Sequence, residues 1–450
     1  MIFSLLALLS VWLLIKSFIP KMKTLETLSL TYLFSLGGFT FLIFLMMISG
    51  ALLDKTNVIT LVLTVFFISL FLFLIRTKPS FNFLKIGFFK QNIPLEFGWR
   101  KTNKLNLVII AVLCLLIAFP LLYGSYWPVT DWDSLVLYDY RALSFVNTGT
   151  MEQAISQGYF FGYPLLTSLG HAWSYLFNLG SPAVLHALFY AALLGLFYVH
   201  LKNITNVKTA LLFTLLLAAT RPIFGHAQIA YSNLPYTVYL IGGYLYLYRF
   251  LKEKKLFNLI ISSLLVGFSA WTRIVEPFWI TAVLALLVIL FSDKTLPFHK
   301  KLGLALMYFL LISAIRYPWL NFENSYLQNQ RDTLQRAPKY LGILFQFDWR
   351  NLLAVIDYLI TSIIRPQLLL YLVFAISLFG RPRKKVVSII FPLIIFLNLG
   401  LMFAGTIILS VSFETWNKIA GSVTRLSMIF IPLLLFEVAL TFHHLFSKKS

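Results

Sequence analysis

Acidic residues are scarce in this 450-residue chain, where 16 Asp and Glu stand against 37 Lys and Arg. Cysteine is scarcer still. The single Cys114 cannot close a disulfide within the chain, so cysteine usage says nothing of the redox compartment. The seven histidines are scattered, with only His443 and His444 adjacent, and none falls in an H-E-x-x-H or Cys/His array, which argues against a protein-built zinc site. No Walker or Rossmann glycine pattern occurs, which argues against ATP-driven transport and a Rossmann-type nucleotide-sugar site. No internal repeat suggests the paired halves of a secondary transporter.

What the chain has is apolar surface. Hydrophobic residues make up 59% and aromatics 17%, more than a water-soluble core can hide. Runs near 2–19, 28–50, 57–76, 105–126, 181–201, 207–222, 229–250, 257–272, 276–292, 301–319, 364–380, 385–410 and 423–444 each approach the ~20 residues that cross a bilayer core. The expectation is an all-α polytopic membrane protein with about 13 (roughly 11–15) transmembrane helices. The first run lacks a small-residue cleavage site and is read as a retained helix.

The net charge of +21 sits in short loops between runs, the positive-inside pattern, so membrane lipids rather than nucleic acid are the expected partner. Lys21 and Lys23, the basic linker from Arg76 to Lys104, Lys252 to Lys255, Lys300 and Lys301, the R-P-R-K-K run from Arg381, and Lys448 with Lys449 are expected in the cytoplasm. The sequon Asn203-Ile204-Thr205 falls on that side and is discounted as a glycosylation site. Two segments follow: residues 1–104, extra helices and a basic linker, and 105–450, which hold every polar cluster capable of chemistry. The outer loops are 127–180 and 320–350. For the count to close, 163–180 lies along the outer surface as an amphipathic or re-entrant helix.

In the first outer loop, P-V-T-D-W-D-S-L-V-L-Y-D-Y-R-A places Asp131, Asp133 and Asp139 within nine positions. Four more polar sites fall at outer span ends: Arg221 to Asn233, Trp271 to Glu276, Asn321 to Arg350, and Glu414 to Arg425. Asp131 and Asp133 also read as solvated loop charges beside Trp127 and Trp132. Together with arginines at the same depth, a carboxylate base beside phosphate-binding cations suggests group transfer.

The order W-D-S-L-V-L-Y-D-Y-R-A, Y-P-L-L-T-S-L-G-H-A, A-Y-S-N-L-P-Y-T-V-Y-L, S-A-W-T-R-I-V-E-P-F and S-V-T-R-L-S-M-I-F-I-P resembles the GT-C glycosyltransferase superfamily. Within it the likeness is to bacterial relatives of protein O-mannosyltransferases and lipid A aminoarabinose transferases, and it covers about Leu105 to the C-terminus. The resemblance implies a GT-C-like membrane enzyme of a bacterial or archaeal cell membrane. Such an enzyme moves a sugar, with inversion, from a polyprenyl-phosphate carrier to a lipid, glycan or protein acceptor on the extracytoplasmic side.

Carried over by position, Asp133 is the catalytic carboxylate of the first outer loop, with Asp131 its alternative or helper. Relatives often carry a second carboxylate where this chain has Asn233, a departure that Asp131 or Glu276 would have to make good. A hydroxyl nucleophile needs a base within hydrogen-bond reach, the role given to Asp133. The leaving phosphate needs its growing charge stabilised, which guanidinium groups do with paired hydrogen bonds. Arg425 matches the family's terminal arginine and is assigned to the donor phosphate, with Arg273 and Arg221 beside it; Arg425 equally fits a helix-end anchor. Arg273 and Glu276, three apart on one helix face, position phosphate or sugar, or simply pair with each other. Tyr163, His171 and Tyr231 are candidates to line the acceptor site. Asp131 and Asp133 are also the residues that would hold Mg²⁺ or Mn²⁺ with a phosphate as further ligand, and a cation-free arginine site is as consistent. Two rivals stay open: a polymerase or ligase of lipid-linked oligosaccharides, and a transporter or flippase of an anionic or lipid-linked solute.

Overall fold

A computed structural model describes residues 1–77, 103–156, 163–273, 277–293, 295–326, 349–380, 386–412, 416 and 420–447. Every regular element among them is helical. Among the described residues, eight helices are long and apolar enough to cross a membrane: Thr24–Ile48, Lys55–Thr77, Lys104–Tyr126, Ala183–Lys202, Phe298–Ser325, Trp349–Ser377, Ile390–Val411 and Val423–Phe446. Ile2–Phe18, Val207–Ala219, Leu256–Thr272 and Trp279–Ser292 are apolar but shorter. The chain is therefore an integral, polytopic helical membrane protein. Helices suit it because backbone groups within a bilayer must be satisfied inside their own segment.

The chain divides into two compact units. The first comprises 1–159, 165–203 and 207–231, the second 160–164, 204–206 and 232–450. This division falls at 231/232, whereas the one drawn from function fell at 104/105.

In the first unit, α1 (Ile2–Phe18), α2 (Thr24–Ile48) and α3 (Lys55–Thr77) pack together, and α2 lies along α8 (Ala183–Lys202). The first three helices thus share a body with most of the 127–180 segment. Lys23 donates to Asn203 Oδ1 at one end of this pair (2.9 Å), while the Tyr32 hydroxyl donates to the Leu185 carbonyl (2.6 Å) nearer the other. Helix α4 (Lys104–Tyr126) meets the start of α8 through Gly124. Both ends of the 127–182 excursion are thereby brought together. Most of α8 is buried (78% of its apolar window), against 17% for Lys55–Thr77 and Lys104–Tyr126, so α3 and α4 present apolar surface outward to lipid. The excursion contains α5 (Tyr140–Thr148), α6 (Glu152–Ser156) and α7 (Leu166–Leu176), and α9 (Val207–Ala219) and α10 (Arg221–His226) complete the unit. Gly149 ends α5 in the left-handed region (φ 73°), where glycine carries no Cβ penalty, and its carbonyl accepts from Leu53 N (2.8 Å).

In the second unit, α11 (Asn233–Glu253) and α12 (Leu256–Thr272) form a close hairpin, with α13 (Trp279–Ser292) and α14 (Phe298–Tyr326) packed beside it. Pro235 falls in the first turn of α11, where a missing N–H costs no helix bond. The remaining helices are α15 (Trp349–Leu359), α16 (Leu368–Ser377), α17 (Ile390–Ser412), α18 (Ala420–Leu426) and α19 (Phe430–Ser447). Buried hydroxyls and amides join them. Tyr244 bonds the Thr281 hydroxyl, the Phe278 carbonyl (3.1 Å) and the Asn398 side chain (3.2 Å), and Ser262 bonds Gly243 O (2.7 Å) and the Tyr308 hydroxyl (3.0 Å). Such polar ties hold helices together where lipid removes most of the hydrophobic drive. Lys254 pairs with Asp293 (3.0 Å), which sets the α11–α12 turn and the α13–α14 loop at one end of this unit. The basic residues at 252–255 thus stand beside the loop that leads to Lys300 and Lys301.

Candidate functional site

The chain leaves α4 at Trp127 and re-enters helix at Trp132. Asp131 and Asp133 stand at the head of that helix, half-buried, where a helix N-terminus favours negative charge. Between them Trp132 is exposed (74%). Burial lifts the Asp131 carboxyl above the usual carboxylate range, with the neighbouring Asp133 charge a smaller contribution in the same direction.

The helix does not run on as regular α. Ser134–Asp139 form a single π turn, with Tyr140 N bonding Leu135 O, and Ser134, Tyr138 and Asp139 all turn inward. Such turns carry one extra residue and recur at functional sites. Asp139 is then not a solvated loop acid. It accepts from the Tyr175 hydroxyl and from His171 Nδ1 (3.2 Å), both on α7. His171 Nε2 lies 3.5 Å from His186 Nε2 on α8, the rings nearly perpendicular. Two residues on, Arg141 is fully buried, its Nε donating to Leu137 O (2.6 Å) and its guanidinium 5.6 Å from the Tyr138 ring. Burial, and then the bond to Asp139, push the Tyr175 phenol well above its ordinary range.

Helix α7 was expected along the outer surface. Its 11 residues span only about 16 Å, too short to cross a bilayer, but Leu166 to Ala172 are all buried. His171, a candidate for the acceptor site, is fully enclosed and committed to Asp139. Arg221 is exposed at the start of α10, and Tyr231 is half-buried with its ring 6.3 Å from that of His226.

In the second unit three of the anticipated regions come together. Arg273, just past the C-terminus of α12, is 5% exposed. It donates to the Tyr163 hydroxyl (3.1 Å) and to Ser232 Oγ (3.4 Å), and its guanidinium lies 4.6 Å from the Tyr163 ring centroid. Asn233, next in sequence to Ser232, opens α11 and is buried. Arg425 is half-buried on α18, which packs against α11. Glu276, Glu414, Arg331, Arg336 and Lys339 lie outside the described residues.

No family model, curated protein or solved structure matches this chain. The site therefore rests on its own chemistry. Among the described residues no three His, Cys, Asp or Glu side chains gather as a metal site. A divalent ion on Asp131 and Asp133 would need phosphate and water for its other ligands. Asp139 as a buried acceptor, Tyr175, His186 and Arg141 are the residues that sequence reasoning passed over. One signal was present: His171 and Tyr175 are four apart on a short helix, hence on one face.

Proposed function

We propose that this chain is an inverting glycosyltransferase of GT-C type, with about thirteen spans (roughly 11–15) and its site on the extracytoplasmic side of a bacterial or archaeal cell membrane. The observation that carries the reading is the pair Asp131 and Asp133, half-buried at the head of a helix whose next turn is anchored in the interior. A carboxylate so placed meets substrate yet is held in position. Asp133 takes the proton of the acceptor hydroxyl as that oxygen bonds the anomeric carbon. The bond from that carbon to the phosphate oxygen breaks, and the polyprenyl phosphate leaves with the electron pair. Arg425, Arg273 and Arg221 are the candidates to hold the phosphate, since guanidinium stays charged and bonds two oxygens at once. Tyr163, placed beneath Arg273, offers a ring face to a sugar.

A transporter or flippase is the second reading. Glu437, fully buried within the span Val423–Phe446, favours it, because carboxylates at membrane depth mark solute and ion paths. Sugar transfer by purified protein separates the two. Polyprenyl-monophosphate sugars are offered with membrane extract as acceptor, to wild type and Asp133→Asn. Transfer by wild type that falls at least about a hundredfold in the variant is expected. Equal transfer by both moves the base to Asp131, and absence of transfer from every donor sinks the enzyme reading.

A further inference from the structure

The π turn needs a cause. Asp139 and Tyr140 keep right-handed helical dihedrals (φ −76°, ψ −45° and φ −57°, ψ −46°), so Asp139 stays phased with α5. The extra residue in Ser134–Asp139 therefore re-phases what precedes it, Asp131 and Asp133, relative to Asp139, which is buried against α7. There it accepts two hydrogen bonds, from Tyr175 and His171. A neutral His171 that keeps its Nδ1–H on Asp139 has Nε2 as an acceptor, and His186 Nε2–H supplies that donor at 3.5 Å. His186 Nδ1 is then left as a buried lone pair without a partner, a lesser cost than an orphaned N–H. All donors in the chain from His186 to Asp139 point one way.

We infer that His171 is a positioning residue for the carboxylates of the outer loop, acting through Asp139 and the π turn. This rests on the reading of Asp133 as the base. Without the clamp the segment reverts to regular helix, the form that helical turns ordinarily keep. Removing its extra residue re-phases everything before it by about 100° and 1.5 Å along the axis. On a Cα radius of about 2.3 Å that carries Asp133 some 3.5 Å sideways. A misplacement of about 1 Å already costs up to a hundredfold in rate.

The test measures position and rate separately, on full-length protein in nanodiscs. With Cys114→Ser as background, spin labels at the exposed positions Trp132→Cys and Leu179→Cys report the loop by pulsed electron paramagnetic resonance. His171→Leu should shift the modal distance by about 3 Å or more. Deleting Val136, which removes the extra residue directly, should shift it in the same direction. His171→Asn, which keeps an N–H near the Nδ1 position, should restore the wild-type distance and most of the rate. In transfer assays His171→Leu should lower kcat at least about a hundredfold with KM nearly unchanged. An unchanged distance in His171→Leu overturns the inference even if transfer is lost. Should that variant not fold, Tyr175→Phe and Asp139→Asn are read in its place, and two unmoved distances overturn it equally. A shifted distance in a protein that transfers no sugar keeps the positioning and removes the base reading.

Discussion

Gly124→Ala tests the contact that closes the 127–182 excursion. A Cβ at Gly124 would stand 3.0 Å from the Ala183 carbonyl carbon, 3.0 Å from Val184 N and 3.3 Å from the Ala183 oxygen. All three are backbone atoms of α8 or its entry, so no side chain can turn aside. Normal contact is about 3.5–4.0 Å, and α4 and α8 must part by roughly 0.5–1 Å. Overpacking of this kind costs about 1–3 kcal/mol, offset by the ~0.5–1 kcal/mol that alanine gains over glycine within a helix. The net expectation is a loss of about 0.5–2 kcal/mol, or a two- to thirtyfold change in the unfolding equilibrium. Gly38 is the internal control. It lies within α2 with nothing inside 4 Å of where a Cβ would stand, so Gly38→Ala should be neutral or stabilising. Unfolding by sodium dodecyl sulfate in mixed micelles, followed by circular dichroism, compares the two. If both variants unfold at the same detergent fraction, α4 and α8 do not meet as described and the account of the loop fails.

Arg273→Lys keeps the charge but loses the planar fork and its place on Tyr163, and the donor KM in initial-rate assays should rise at least about tenfold. An unchanged KM with lower thermal stability would make Arg273 a packing residue only. Asp293 is held below the usual carboxylate range by the Thr295 hydroxyl first, then the Thr295 backbone N–H and Lys254. A depressed carboxyl stabilises the fold above its unfolded pKa and loses that contribution as pH falls below about 4. Melting curves of wild type should therefore fall more steeply below about pH 4 than those of Asp293→Asn; parallel curves would refute the pairing.

Where the helices lie was legible because run length and composition act locally. Each of the thirteen apolar runs contains a helix, and the Lys254 to Asp293 pair joins two loops that charge alone had put on one side. Arg273 was legible as a candidate, but its partners Tyr163 and Ser232 are 110 and 41 residues away, and no local signal links them. Asp139 shows the limit most clearly. Its neighbours Asp131 and Asp133 share its chemistry and its loop, yet only Asp139 is enclosed.

By itself the sequence determined that this chain lives in a membrane as helices, since that property follows from transfer energies summed along contiguous residues. Only the tertiary structure decided which of the loop's acids stand at its half-buried head and which is enclosed. That choice depends on a single extra residue in one helical turn and on donors contributed by α7 and α8, and side chains that meet from distant segments leave no periodic trace in the chain.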